Sequence, residues 1–113
     1  MKRVLFLCTG NYYRSRFAEI VFNWRSRMRG VPWHAISRGL ALDARNAEPI
    51  SRHTLIELSR RGIPCDGYLR APLAVCDVDF TGASRVIAIK EAEHRPIIEA
   101  QFPAWRDVVE YWH

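Results

Sequence analysis

The chain has 113 residues, 49% of them hydrophobic and 26% charged, with a net charge of +5. That is enough for one domain, residues 1–113, with a real core; no apolar run is long enough to span a membrane, which argues against a membrane partner, and three widely spaced cysteines oppose a disulfide framework or a zinc site and suit a reducing cytoplasm. The positive balance is almost all arginine, with Lys only at positions 2 and 90, and reads as a basic solvated surface that attracts phosphorylated ligands, because no nucleic-acid motif accompanies it.

The opening MKRVLFLC imitates the start of a signal peptide, but its apolar part is too short and no small-residue cleavage site follows. Val4-Leu5-Phe6-Leu7 is too short for a helix and lacks polar alternation, so it predicts a buried strand. From Ser15 to Arg29 the spacing predicts a helix with Phe17, Ile20, Val21, Trp24 and Met28 on one stripe, closed by Gly30 and Pro32. Trp33 to Ser37 reads as a second strand, and Gly39 to Pro49 as a polar loop. A helix from Ser51 to Arg61 has Ser51 as its cap, Leu55 and Leu58 inward and Gly62 as its stop. Ile63 to Ala83 is irregular, with one short helical turn expected around Leu69 to Val75. Arg85 to Ile89 is the third strand. Glu91 to Gln101 is the next helix, in which Pro96 is tolerable only close to the start. Trp105 to Trp112 supplies the fourth strand. The alternation implies an α/β single domain with a four-stranded parallel sheet flanked by helices on both faces. A ligand then binds at the carboxyl ends of the strands.

Cys8 to Ser15 lies at such an end, in the run Cys8-Thr9-Gly10-Asn11-Tyr12-Tyr13-Arg14-Ser15. Gly10 and Asn11 permit the backbone angles of a tight loop whose amides point inward. The loop runs into a helix N-terminus, where free amides and the dipole attract anions. These groups and Arg14 favour Cys8 as a thiolate nucleophile at neutral pH, and Arg14 is the natural bidentate partner of two phosphate oxygens. The spacing Cys-x5-Arg is weak evidence in a chain so rich in Arg. The preceding strand, the Gly-Asn pair, Ser15 and the following helix together point to a phosphate-binding loop, against the plainer reading of Cys8 as a small buried apolar residue.

At these residues the chain resembles the low-molecular-weight protein-tyrosine phosphatase family, which includes thioredoxin-coupled arsenate reductases. The run CTGNYYRSRFAE, ending at Ala18-Glu19, carries the resemblance; Ser37-Arg38-Gly39, Gly62-Ile63 and Val86-Ile87-Ala88-Ile89 extend it loosely along the chain. The resemblance implies Cys8 as nucleophile, Arg14 as transition-state clamp and Ser15 as the hydroxyl that bonds the thiolate. It makes Asn11 the residue that holds the loop in shape. Thr9, Gly10, Asn11, Tyr12, Tyr13 and Arg14 would bind the phosphate through their amides. It further implies hydrolysis of phosphotyrosine or another aryl phosphate through a phosphocysteine, with no metal or cofactor. The partners are then a phosphorylated protein or a small aryl phosphate, with inorganic phosphate or sulfate also fitting the loop.

Three departures from the family pattern are visible. The family's general acid is an Asp, often before Pro, on a loop beyond the last core strand. This chain has no Asp-Pro pair, and its sequence stops where that loop should begin. Asp107 falls at the wrong end of the presumed strand, leaving Glu110 and His113 as possible substitutes. Tyr13 stands where many relatives carry a second Cys; of Tyr12 and Tyr13, one is expected to pack and the other to rim the pocket. Lys90 stands where relatives have an acidic residue, and is expected to point into solvent. Two other functions stay open: an anion-binding module without the acid, and an arsenate reductase, which Cys65 and Cys76, with ten residues between them, serve poorly.

Overall fold

The computed structural model describes residues 1–112; His113 lies outside them. Its elements are β1 (Lys2–Cys8), α1 (Arg14–Arg29), β2 (Trp33–Gly39), α2 (Arg52–Arg60), α3 (Asp77–Thr81), β3 (Arg85–Ile89), α4 (Glu91–Gln101) and β4 (Val109–Trp112), with a 3₁₀ turn at Pro103–Trp105 before the last strand. All strand pairs are parallel, in the order β2-β1-β3-β4, so the expected architecture is present.

The apolar run that predicts β1 is buried on both faces because β1 is a central strand. Val4 and Phe6 pack with Ala35 and Ile87 under Ala18 and Phe22 of α1. Leu5 and Leu7 point the other way, joining Val86, Ala88 and Val109 under Phe80 of α3 and Ile98 of α4. Period-two alternation thus feeds two cores from one strand, and each fully buried leucine contributes about 1.5–3 kcal/mol. A third cluster, Ile20, Ile50, Leu58 and Ile63, fastens α1 to α2.

Several expectations needed correction. Of the stripe expected on α1, Ile20 is buried and Phe17, Val21 and Trp24 pack half-buried around its cluster, while Met28 is exposed; a second, polar face made of Ser15, Arg16, Glu19, Asn23 and Ser26 is also buried. That face meets the β2 backbone and the carbonyls of neighbouring loops, which polar side chains satisfy; Asn23 donates to Ala35 O and accepts from Ala35 N-H. No helical turn forms at 69–75. The short helix lies at Asp77–Thr81 instead, where Asp79 accepts from the Cys76 amide and the first turn carries two carboxylates. Only Val109–Trp112 of the expected fourth strand is extended. Cys65 is half-buried but Cys76 is exposed. Pro96 sits in the sixth position of α4, a full turn deeper than a proline is normally tolerated.

The strand order decides where chemistry can occur. The chain leaves β1 to form β2 on one side, then returns to place β3 on the other. Beyond the carboxyl ends of β1 and β3, the two connections diverge and leave a crevice. The residues after β1 and those after β3 therefore face one another there.

Candidate active site

Cys8 ends β1, 2% exposed, opposite Gly39 in the ladder to β2. Its Sγ lies 2.9 Å from Ser15 Oγ. Asn11 Nδ2 donates to the same Ser15 oxygen at 2.8 Å, which leaves the hydroxyl proton of Ser15 free for the sulfur. Between Cys8 and Ser15 the chain turns through Asn11 at φ 48, a left-handed conformation that Asn tolerates and most residues do not.

Four hydrogen bonds hold that conformation. The Asn11 amide nitrogen donates to Ser15 and, at 3.0 Å, to Ser37 Oγ. Its Oδ1 accepts from Arg70 Nη1 at 2.9 Å and from the Leu73 amide at 3.0 Å. This fills the side chain's whole capacity. Ser37 in turn donates to Glu19 Oε1 at 2.6 Å, so α1, β2 and the segment after α2 all grip one loop residue.

The amides of Gly10, Asn11, Tyr12 and Tyr13 donate to no group among the described residues. Tyr13 is the N-cap of α1 and no side chain caps that helix end, so its donors also stay available. Of these residues all but Asn11 border a cavity of about 290 Å³, lined by Cys8, Thr9, Gly10, Tyr12, Tyr13 and Arg14 on one side and Ala41, Asp43 and Asn46 on the other. Both tyrosines therefore rim the cavity, rather than one of them packing away. Trp112 does not line it; its ring sits edge-on to Phe6, 6.0 Å between centroids, and is 47% exposed.

Across the crevice stand two residues that no sequence pattern marked. Glu93 takes Arg14 in a two-pronged ion pair, Nη1 to Oε2 and Nη2 to Oε1 both at 3.0 Å, and accepts from Thr9 Oγ1 at 2.5 Å. These bonds, Arg14's first, hold its carboxyl down at about 2. A guanidinium carries five N–H donors; Glu93 takes two, and three remain for an anion. His94 is fully buried, its Nδ1 accepting from the Lys90 amide at 2.9 Å and its Nε2 lying 3.1 Å from Thr9 Oγ1. The ring is thus neutral with its proton on Nε2, and burial pushes its pKa below the ordinary value. His34 and His53 are exposed, as is Lys90. The only sequence signal for Glu93 and His94 was their place in the first turn after β3, meaningful once β3 is known to neighbour β1.

The substitutes considered for the general acid do not gather here. Glu110 is bound to Arg85, at 2.8 and 2.5 Å, at the start of β3 and so at the far end of the sheet from Cys8. His113 lies outside the described residues, and Asp107 precedes β4 with its side chain 93% exposed. Among the described residues no group of His, Cys, Asp and Glu is arranged to hold a metal, and no helix is long and apolar enough to cross a membrane.

Residues 3–111 match the family model described as low molecular weight phosphotyrosine protein phosphatase. No curated protein matches the chain. Among solved structures, the low molecular weight protein tyrosine phosphatase from T. tengcongensis is 31% identical with a TM-score of 0.82, over 98% of this chain and 73% of that one. YfkJ from Bacillus subtilis is 26% identical with a TM-score of 0.83, over 98% and 69%. The YwlE arginine phosphatase from Geobacillus stearothermophilus is 24% identical with a TM-score of 0.76, over 98% and 66%, a likeness of fold.

Proposed function

Since the chain belongs to the low molecular weight phosphotyrosine protein phosphatase family, whose members are hydrolases, we propose that it hydrolyses aryl phosphate monoesters, phosphotyrosine among them, with Cys8 as nucleophile. The Cys8 thiolate attacks phosphorus, the P–O bond to the phenol breaks, and the departing oxygen takes its proton from solvent water. Water then attacks the phosphocysteine, releasing inorganic phosphate and restoring the thiolate. Throughout, Arg14 and the amides from Thr9 to Arg14 receive the charge on the phosphoryl oxygens, and Ser15 donates to the sulfur as it leaves.

The observation that carries this reading is the convergence on one 290 Å³ cavity of a buried thiol, a hydroxyl 2.9 Å from it, a cluster of free amides and one arginine. An arginine-phosphate substrate, as the name of YwlE indicates for that protein, has only fold likeness behind it here. Glu93, ionised down to about pH 2, is not a proton donor to the leaving group near neutrality.

Hydrolysis of p-nitrophenyl phosphate tests the proposal, because that leaving group departs readily without a proton donor. Turnover that Cys8→Ser abolishes is the expected result. No turnover by folded, reduced wild-type protein would sink the enzymatic reading and leave an anion-binding module, for which phosphate protection of Cys8 from alkylation is the corresponding assay.

A further inference from the structure

Arg16 immediately follows Arg14 and Ser15, and it is 1% exposed. Long charged side chains are rarely buried so completely without a carboxylate. Arg16 has no hydrogen bond to one: its four bonds all go to backbone carbonyls. Nη1 donates to Asn11 O and Pro49 O, both at 3.2 Å, and Nη2 donates to Tyr68 O at 2.8 Å and Arg70 O at 2.6 Å.

Those carbonyls come from three separate segments. Asn11 is the left-handed residue of the loop after Cys8. Pro49 belongs to the connection that supplies Ala41, Asp43 and Asn46 to the cavity wall. Tyr68 and Arg70 lie in the irregular segment whose Arg70 and Leu73 hold the Asn11 side chain. One planar fork therefore sets the loop, its wall and its brace relative to α1, a task suited to guanidinium geometry and not to a single ammonium point.

We propose that Arg16 is a positioning residue of the anion site: it fixes the loop and its facing wall, and it places a permanent positive charge behind the bound phosphoryl group. Carbonyl dipoles stabilise that charge without cancelling it, unlike the pairing of Arg14 with Glu93. Burial lowers the Arg16 pKa to about 10, helped by the like charge of Arg70 and opposed by Glu19 and Cys8, so the charge persists throughout the neutral range.

The inference rests on the reading of the Cys8 loop as an anion site, and one set of measurements separates the two. Cys8 alkylation is followed with anionic iodoacetate and neutral iodoacetamide, with and without inorganic phosphate, in the wild type and in Arg16→Gln and Arg16→Lys. Wild-type protection by phosphate supports the anion site, and its absence sinks that reading together with this one. With protection established, Arg16→Gln is expected to lower the iodoacetate-to-iodoacetamide rate ratio several-fold and to weaken phosphate protection about tenfold. Arg16→Lys keeps the charge but not the fork, so it should restore most of the rate ratio while phosphate protection stays impaired. A merely structural arginine moves neither quantity once the variant is folded. A folded Arg16→Gln with wild-type ratio and protection overturns the proposal. If that variant does not fold, a folded Arg16→Lys with unimpaired protection overturns it, and failure of both to fold makes Arg16 a folding determinant and rejects the positioning role.

Discussion

At the scale of single residues, the site is governed by how few partners each group can accept. Asn11 spends all four of its bonds on shape, so Asp or Ala there leaves buried partners unsatisfied. Glu93 and Arg14 form a half-exposed pair, with side chains 39% and 36% accessible, and such pairs contribute little to stability, about 0–1 kcal/mol. Their effect is on the ligand. Removing the negative charge beside the cavity with Glu93→Gln should tighten inorganic phosphate binding several-fold, read as a lower inhibition constant; weaker binding would make Glu93 an orienting partner of Arg14 instead. The carboxyl's ordinary value of 4.5 is lowered to about 2. Whatever stability the pair gives is therefore complete above about pH 4.5 and lost as pH falls through 2. His94 runs on a different window. Its pKa is depressed by burial from 6.5, so its contribution is full above pH 6.5 and declines as pH falls below that value. Thermal midpoints measured between pH 7.5 and 5 should fall more steeply for the wild type than for His94→Gln.

At the scale of elements, the strands and helices whose own periodicity determines burial were legible in the sequence. β3 and α4 fall where expected because β3 is an unbroken apolar run and α4 starts from a strand end with acidic residues in its first turn. The apolar stripe of α1 finds its partners around Ile20 except at Met28, but apolar periodicity gives no sign of the second face, which buries polar groups against loop carbonyls and the β2 backbone. The polar set at 15, 16, 19, 23 and 26 has helical spacing of its own. Cys8, Arg14 and Ser15 were readable because they are local. Glu93 and His94 were not, since their meeting with Thr9 depends on β1 and β3 being neighbours across 84 and 85 residues of chain. The end of β2 shows the same dependence. A Cβ on Gly39 would stand 2.9 Å from Thr9 O, 3.0 Å from Asn11 Cβ and 2.6 Å from Leu42 Cδ2. Gly39→Ala must therefore displace the loop backbone, at a cost of about 1–3 kcal/mol, and should cut phosphate protection of Cys8 at least tenfold while the far-ultraviolet dichroism stays that of the wild type.

At the scale of the whole molecule, β1 is the organising strand. It is hydrogen-bonded on both sides and contributes to the cores on both faces of the sheet. Its amides at Leu5, Phe6 and Leu7 should exchange only through global opening, and native-state hydrogen exchange would contradict this if they exchanged as fast as those of the edge strand β4. The net charge of +5 adds a general attraction for phosphorylated ligands that salt weakens over a Debye length of about 10 Å at 0.1 M.

The grip of Arg70 and Leu73 on Asn11 also sets an order in time. The loop after Cys8 is closed by partners 59 and 62 residues further along the chain, and such long closures are slow to form relative to a helix or a local turn. During refolding, the helical signal should therefore return before Cys8 becomes protectable by phosphate, and the lag between the two is the time the segment after α2 takes to find its place.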